Sequence, residues 1–160
     1  MKTLLRSAFL TLAIMALAVP AYAGPLEDGW AAYQRGDYAT ALENWIPLAE
    51  QGDATAQYIL GVSYDSGQGV PQDYAEAVKW YRLAADQDIA GAQYNLGASY
   101  DSGQGVPRDI VQAYMWFNIG AAVGDEEARQ GQDRTAERMT PDQIAEAQRR
   151  AREWMVKQQQ

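Results

Sequence analysis

The side chains that most often carry chemistry are missing from this sequence. It has no histidine and no cysteine, so a Ser-His-Asp triad, a thiol nucleophile and the usual zinc sites are excluded. No serine begins a Ser-x-x-Lys sequence, which removes serine activation of the penicillin-recognising kind. Gly67-Gln68-Gly69-Val70-Pro71-Gln72 starts like a dinucleotide-binding loop, yet it ends on Gln72 and follows a helical stretch instead of a strand. Asp65 and Asp101 suggest calcium, but the alternating oxygen ligands of an EF-hand are lacking. Glu126 and Glu127 are acidic neighbours that read as solvated side chains on a surface helix rather than as an acid/base pair. The expectation is a protein that is not an enzyme, with no cofactor and no metal. What remains is binding surface.

The elements that would position such a surface are announced by a repeat. Ser63-Tyr64-Asp65-Ser66-Gly67-Gln68-Gly69-Val70-Pro71 returns unchanged at Ser99 to Pro107, and residues 54–89 match 90–125 at 19 of 36 positions. Self-similarity at such a period marks a stacked array. Gly67 and Gly69, like Gly103 and Gly105, supply positive φ at a helix end and in the turn after it, and Pro71 and Pro107 cannot continue a helix. Asp73 three residues before Glu76, and Asp109 three before Gln112, open the next helix as reciprocal caps. The unit is helix, glycine loop, helix.

Residues 1–23 read as a signal peptide: Lys2 and Arg6 form a basic start, Ala8 to Val19 an apolar run, and Ala21-Tyr22-Ala23 a small-x-small cleavage pattern. Cleavage after Ala23 gives a periplasmic or secreted protein with no membrane span; an uncleaved anchor is the competing reading, disfavoured by the length of the run and by Pro20. The full chain carries a net charge of −8, and loss of Lys2 and Arg6 leaves 11 bases against 21 acids. The excess lies on residues 24–125, with 4 bases and 14 acids. Nucleic acid and anionic lipid are poor partners for such a surface and a neutral or basic one is favoured, although solubility alone would also account for it.

Along the chain, residues 24–52 form a first hairpin with a short loop, Gly36 ending one helix and Asp37 opening the next, with Pro47 inside the second helix. Residues 53–88 and 89–124 are the full repeats. Ala56, Leu60, Gly61 and Tyr64 make one apolar stripe and Ala77, Trp80, Tyr81, Ala84 and Ala85 another; Ala92, Leu96, Gly97, Tyr100, Ala113, Trp116 and Phe117 repeat the scheme. Gly61 and Ala77 mark a close approach of helices, with Trp80 and Tyr64 filling the space beside them. The junction Asp88-Ile89 lacks the glycine-aspartate pair of Gly52-Asp53 and Gly124-Asp125, so this turn is expected to be loose or capped by Asp88 in a shifted register. Beyond Asp125 the period breaks into two capping helices over 125–160, the second opened by Thr140, Pro141 and Gln143 and presenting Ile144, Ala147, Ala151 and Trp154 on one face.

The pattern running from Ala56 through Leu60-Gly61, Tyr64, Gly67, Gly69-Val70, Asp73, Ala77 and Trp80 to Ala84-Ala85 resembles the Sel1-like repeat, a relative of the tetratricopeptide repeat. The second copy keeps every marked position except Ala84, which becomes Gly120. The first hairpin looks more like a tetratricopeptide unit. The resemblance implies an all-α, right-handed α-solenoid acting as a scaffold for protein–protein interaction. By the same likeness the first helix of each unit lines the concave side, which puts Thr55, Tyr58, Val62 and Asp65 beside Gly91, Tyr94, Ala98 and Asp101. Tyr58 and Tyr94 would stack side by side as anchors for an extended peptide, or else pack between units. The leading expectation is a non-catalytic protein- or peptide-binding adaptor of the cell envelope. Alternatives are a cell-wall enzyme of β-lactamase-like type, a branch of the family that is disulfide-rich where this chain has no cysteine, and a self-associating structural envelope protein. The sequence sets neither the partner nor the oligomeric state.

Overall fold

The computed structural model describes residues 24–158, so the segment at 1–23 that reads as a signal peptide lies outside the described residues. The described chain is all helical: α1 (Pro25–Gln34), α2 (Tyr38–Glu50), α3 (Ala54–Ser66), α4 (Tyr74–Ala85), α5 (Ala90–Ser102), α6 (Ile110–Ala122), α7 (Glu126–Ala136) and α8 (Pro141–Gln158). Consecutive pairs α1/α2, α3/α4 and α5/α6 pack as hairpins, and each second helix packs against the first helix of the next unit. Among the described residues no helix is long and apolar enough to cross a membrane.

Local signals set the boundaries. The carboxylates of Asp37, Asp53, Asp73, Asp109 and Asp125 accept backbone N–H bonds in the first turns of α2, α3, α4, α6 and α7, using donors that a helix start otherwise leaves unpaired. Gly67 and Gly103 end α3 and α5 in the left-handed conformation at φ 74° and 78°. Each glycine loop is then closed by a backbone bond, Asp73 N–H to the Tyr64 carbonyl at 2.9 Å and Asp109 N–H to the Tyr100 carbonyl at 3.0 Å.

The second glycine of each loop has a further task. A Cβ at Gly69 would lie 2.6 Å from Leu42 and 2.9 Å from the Tyr38 Cβ; at Gly105 it would lie 2.2 Å from the Tyr74 carbonyl oxygen. Tyr38 and Tyr74 open the second helices of the preceding units. The loop of each full repeat is therefore a docking element laid on its predecessor, which the turn chemistry alone did not reveal.

Inside the hairpins the close approaches fall where small residues were expected, with a correction to what fills them. The ring of Tyr81 lies on Gly61, and that of Phe117 on Gly97; Trp45 lies on Gly29 in the first unit. Trp80, expected beside Gly61, is only half-buried and packs against the core that joins the first unit to α3 residues Ala56, Ile59 and Leu60. Trp116, one repeat on, is buried in the core that joins α4 residues Ala77, Val78 and Tyr81 to α5 residues Ala92 and Leu96, and meets Trp154 of α8 edge-on at 5.4 Å. Each tryptophan thus belongs to a core shared by its own unit and the one before it, one step apart along the stack, and α8 adds a cover at the second step.

One expectation about the junctions needs correction. Asp88 does not cap α5. It takes φ 63°, the left-handed position held by Gly52 and Gly124 at 97° and 93°, and α5 starts at Ile89 with no side-chain cap. An aspartate tolerates that conformation better than most side chains. Two helices follow Asp125, and the first of them also keeps features of the repeats: Asp125 caps the Ala128 amide at 2.7 Å as Asp53 caps that of Ala56, Ala128 is fully buried like Ala56 and Ala92, and Gly131 lies against the Phe117 ring. α7 continues the stack as one more first helix. α8 departs from the pattern by packing on α6, where Ala147 and Ala151 enter the core. Its expected start is complete: the Gln143 amide N–H donates to Thr140 Oγ1 at 3.3 Å and the Thr140 N–H to Gln143 Oε1 at 2.9 Å.

Candidate functional site

The six groove residues expected from the sequence lie on α3 and α5, and the structure uses several of them internally. Tyr58 is half-buried; its ring sits 6.2 Å from that of Tyr81 and its hydroxyl end lies over Gly91 of the next unit, where an added Cβ would be 2.9 Å away. Burial, and beyond it the field of Asp125, holds its phenol above the ordinary tyrosine pKa, against the opposing hydrogen bond of Asn95. Tyr94 packs likewise, 5.8 Å from Phe117. The two tyrosines therefore stack on the aromatic of their own hairpin, not on each other. Asp65 accepts from the Tyr81 hydroxyl at 3.3 Å, and desolvation together with that carboxylate pushes the Tyr81 phenol up. Asp101 pairs with Arg138 of the α7–α8 turn at 2.7 Å. Val62 and Ala98 are partly exposed along the same face.

Going from unit to unit at the position after the hairpin glycine, the groove carries Trp30 after Gly29, Val62 after Gly61 and Ala98 after Gly97. The side chains shrink toward α5. At the α1 end the face closes into a cleft of about 160 Å³ between α1, α2 and α3, walled by the rings of Trp30, Tyr33, Trp45 and Tyr58 and floored by Ile59 and Val62. Trp30 stands edge-on to Trp45 at 5.2 Å and 69°, and to Tyr33 at 5.7 Å and 79°. Trp45 is held by its Nε1–H donating to the Leu26 carbonyl at 3.1 Å, and Tyr33 by its hydroxyl donating to Gln68 Oε1 at 3.1 Å. The second bond ties the cleft to the glycine loop of the next unit.

Trp30, Tyr33, Trp45 and Gln68 are site residues that sequence reasoning missed. The three-residue spacing of Trp30 and Tyr33 placed them on one helix face. The second helix of the first hairpin aligns with the repeats and puts Trp45 at the position of Tyr81, but the shorter loop shifts α1 out of the 36-residue register, so the pairing of Gly29 with Trp45 was not read. Elsewhere, among the described residues, no group of three or more Asp, Glu, His or Cys side chains is gathered in a way that could hold a metal ion.

Comparison with known proteins agrees with this architecture. Residues 54–89 and 90–125 match the model of the Sel1 repeat, one residue later than the boundaries read from the sequence, and they are two Sel1 repeats. Repeats of this family typically serve as protein-interaction scaffolds. Among solved structures, c5321, described as a protective antigen present in uropathogenic Escherichia coli strains displaying an SLR fold, is similar at a TM-score of 0.78 and 28% identity over 82% of this chain and 29% of its own. A Sel1 repeat protein from Oxalobacter formigenes is similar at a TM-score of 0.67 and 28% identity over 81% of this chain and 55% of its own. The chain thus spans between about a third and about half of the length of these two proteins. No curated protein matches it.

Proposed function

We propose that this Sel1-repeat protein is a non-catalytic adaptor of the cell envelope that holds a neutral or basic protein segment along the first-helix face of its solenoid. One observation carries the reading: the face formed by α1, α3 and α5 keeps a continuous run of partly exposed apolar side chains, Trp30, Val62 and Ala98, and ends in an aromatic cleft. Other exposed large apolar side chains, Leu83, Val123 and Val156, stand one each on α4, at the end of α6 and on α8, whereas Trp30 and Val62 line one cleft. An extended segment laid there would bury side chains at successive units, and the 14 acids against 4 bases on residues 24–125 favour a neutral or basic one.

The envelope location is supported by the signal-like segment at 1–23 and by the likeness to a protein described as a protective antigen. Tyr58, Val62, Asp65, Tyr94, Ala98 and Asp101 keep different parts in this reading. Val62 and Ala98 touch the partner, Tyr58 and Tyr94 shape the groove by bracing the hairpins, and Asp65 and Asp101 fix its wall through Tyr81 and Arg138.

The test is co-purification from envelope extract. Val62→Arg/Ala98→Arg, which blocks the groove, is compared with Leu83→Arg on the second helix α4, away from the first-helix face, where Leu83 is 46% exposed beside the glycine loop of the next unit. Loss of the partner with the groove variant alone supports the reading. Recovery unaffected by the groove variant, or lost equally with both, rejects it.

A further inference from the structure

We propose that the cleft at the α1 end of this face is a binding site for a quaternary ammonium group, argued from the cleft's own aromatic lining and not from whether a peptide occupies the rest of the groove. Its walls are four aromatic rings, two of the pairs meeting at 69° and 79°. Trp30, Tyr33 and Trp45 are packed edge-on or tilted against one another with centroids 5.2 to 5.9 Å apart, so a cation would sit not between them but against the parts of these rings and of Tyr58 that are turned to the cleft. Trp30, 42% exposed, is the open side of the box.

The polar inventory separates this ligand from other cations. No carboxylate is among the lining side chains. The acceptors that remain are the few oxygens of Gln68, Ser63 and the Tyr33 and Tyr58 hydroxyls, of which Gln68 Oε1 already accepts from Tyr33. A lysine or arginine entering would leave water for a site poor in acceptors, and each unsatisfied N–H would count against it. A tetra-alkylated nitrogen has no N–H to satisfy. Its charge is spread over methyl groups that suit aromatic walls, so this site can desolvate it at little loss.

Charge and size agree. Glu27 lies one turn before Trp30 on α1 and Asp65 one turn after Val62 on α3, so both are near lining residues along their helices while neither lines the cleft, and Asp65 accepts from the Tyr81 hydroxyl. The acid excess of residues 24–125 adds a field that concentrates cations. A volume of about 160 Å³ is below the roughly 300–1,000 Å³ of sites that enclose drug-sized ligands, and suits one trimethylammonium head.

The experiment is a calorimetric titration of the purified protein with choline and with 3,3-dimethylbutan-1-ol, in which carbon replaces the nitrogen and the charge is lost. Binding of choline about tenfold tighter than the neutral analogue is expected. Trp30→Leu, at an exposed position that leaves the fold intact by circular dichroism, is expected to abolish that preference, and Trp30→Phe to restore part of it. Equal binding of the two compounds makes the cleft a simple apolar pocket and overturns the proposal, as does no binding of either, or a preference that survives Trp30→Leu. Glycine betaine and phosphatidylcholine vesicles then distinguish the source of the group: saturable betaine binding assigns a free small molecule, and sedimentation with vesicles assigns a lipid headgroup.

Discussion

At the scale of single residues, the repeat offers an internal control because equivalent positions differ in one side chain at a time. Gln57 and Gln93 are buried at the same point of α3 and α5, and each amide nitrogen reaches the end of the preceding unit, at the Ala49 carbonyl (3.1 Å) and the Ala85 carbonyl (3.3 Å). Gln57 Oε1 also accepts from Gln87 at 2.8 Å. Thirty-six residues on, the place of Gln87 is taken by Val123, and Gln93 Oε1 has no partner although the residue is fully buried. An unmatched buried acceptor is costly, and Val123 itself is 59% exposed and contributes little packing. Val123→Gln is expected to raise the unfolding free energy by about 1 kcal/mol, read as a higher urea midpoint at unchanged slope. No change would mean that Gln93 Oε1 is satisfied by other means.

At the scale of elements, the glycine loops join the units and the terminal helices close them. Gly36 and Gly105 have nearly the same left-handed backbone, at φ 77° and 74°, but a Cβ at Gly36 meets nothing within 4 Å, whereas at Gly105 it meets the Tyr74 backbone. Gly36→Ala should cost about 1 kcal/mol, the conformational term alone, and Gly105→Ala at least about 2 kcal/mol because the loop must lift off α4. Thermal unfolding of the two variants measures the difference, and equal losses would remove the docking role assigned to the loop. On α7 and α8, hydrogen bonds from Arg129 and Gln130 hold the Glu126 carboxyl at about 2, and those from Arg149 and Arg150 hold Glu146 at about 2. Both folded values lie below the ordinary one, so the stabilisation is complete above about pH 4.5 and is lost as pH falls through about 2. Exposure keeps the effect small. Glu126→Gln/Glu146→Gln should therefore lower the urea midpoint at pH 7 and make little difference at pH 2; an equal loss at both would show that charge is not the cause.

At the scale of the molecule, the sequence was most informative where it repeats. Helix ends were legible because glycine, proline and aspartate act locally: the starts at Asp37, Asp53, Asp73 and Asp109 carry the aspartate bond and Thr140 with Gln143 the full reciprocal pair, but the reciprocal bonds expected from Glu76 and Gln112 are replaced, since the Asp73 and Asp109 N–H groups close the glycine loops on Tyr64 and Tyr100. Contacts between units were less legible, since they depend on side chains that meet across the period. Tyr81 and not Trp80 fills the space over Gly61, and α7 keeps the stack going after its sequence has diverged, because Ala128 and Gly131 preserve small contacts while the residues around them change. The aromatic cleft was hidden for the same reason: its walls come from a first hairpin with a short loop and from a full repeat, and no alignment of one with the other brings Trp30 next to Tyr58. The whole account rests on stacked hairpins that leave the first-helix face free for a partner. Site-specific photo-crosslinking in living cells tests this most directly, with a photoreactive residue at Ala98 on that face and, separately, at Leu83 on α4, away from it. The account predicts a discrete crosslinked partner from position 98 and none from position 83; crosslinks from position 83 alone, or the same product from both, would contradict it.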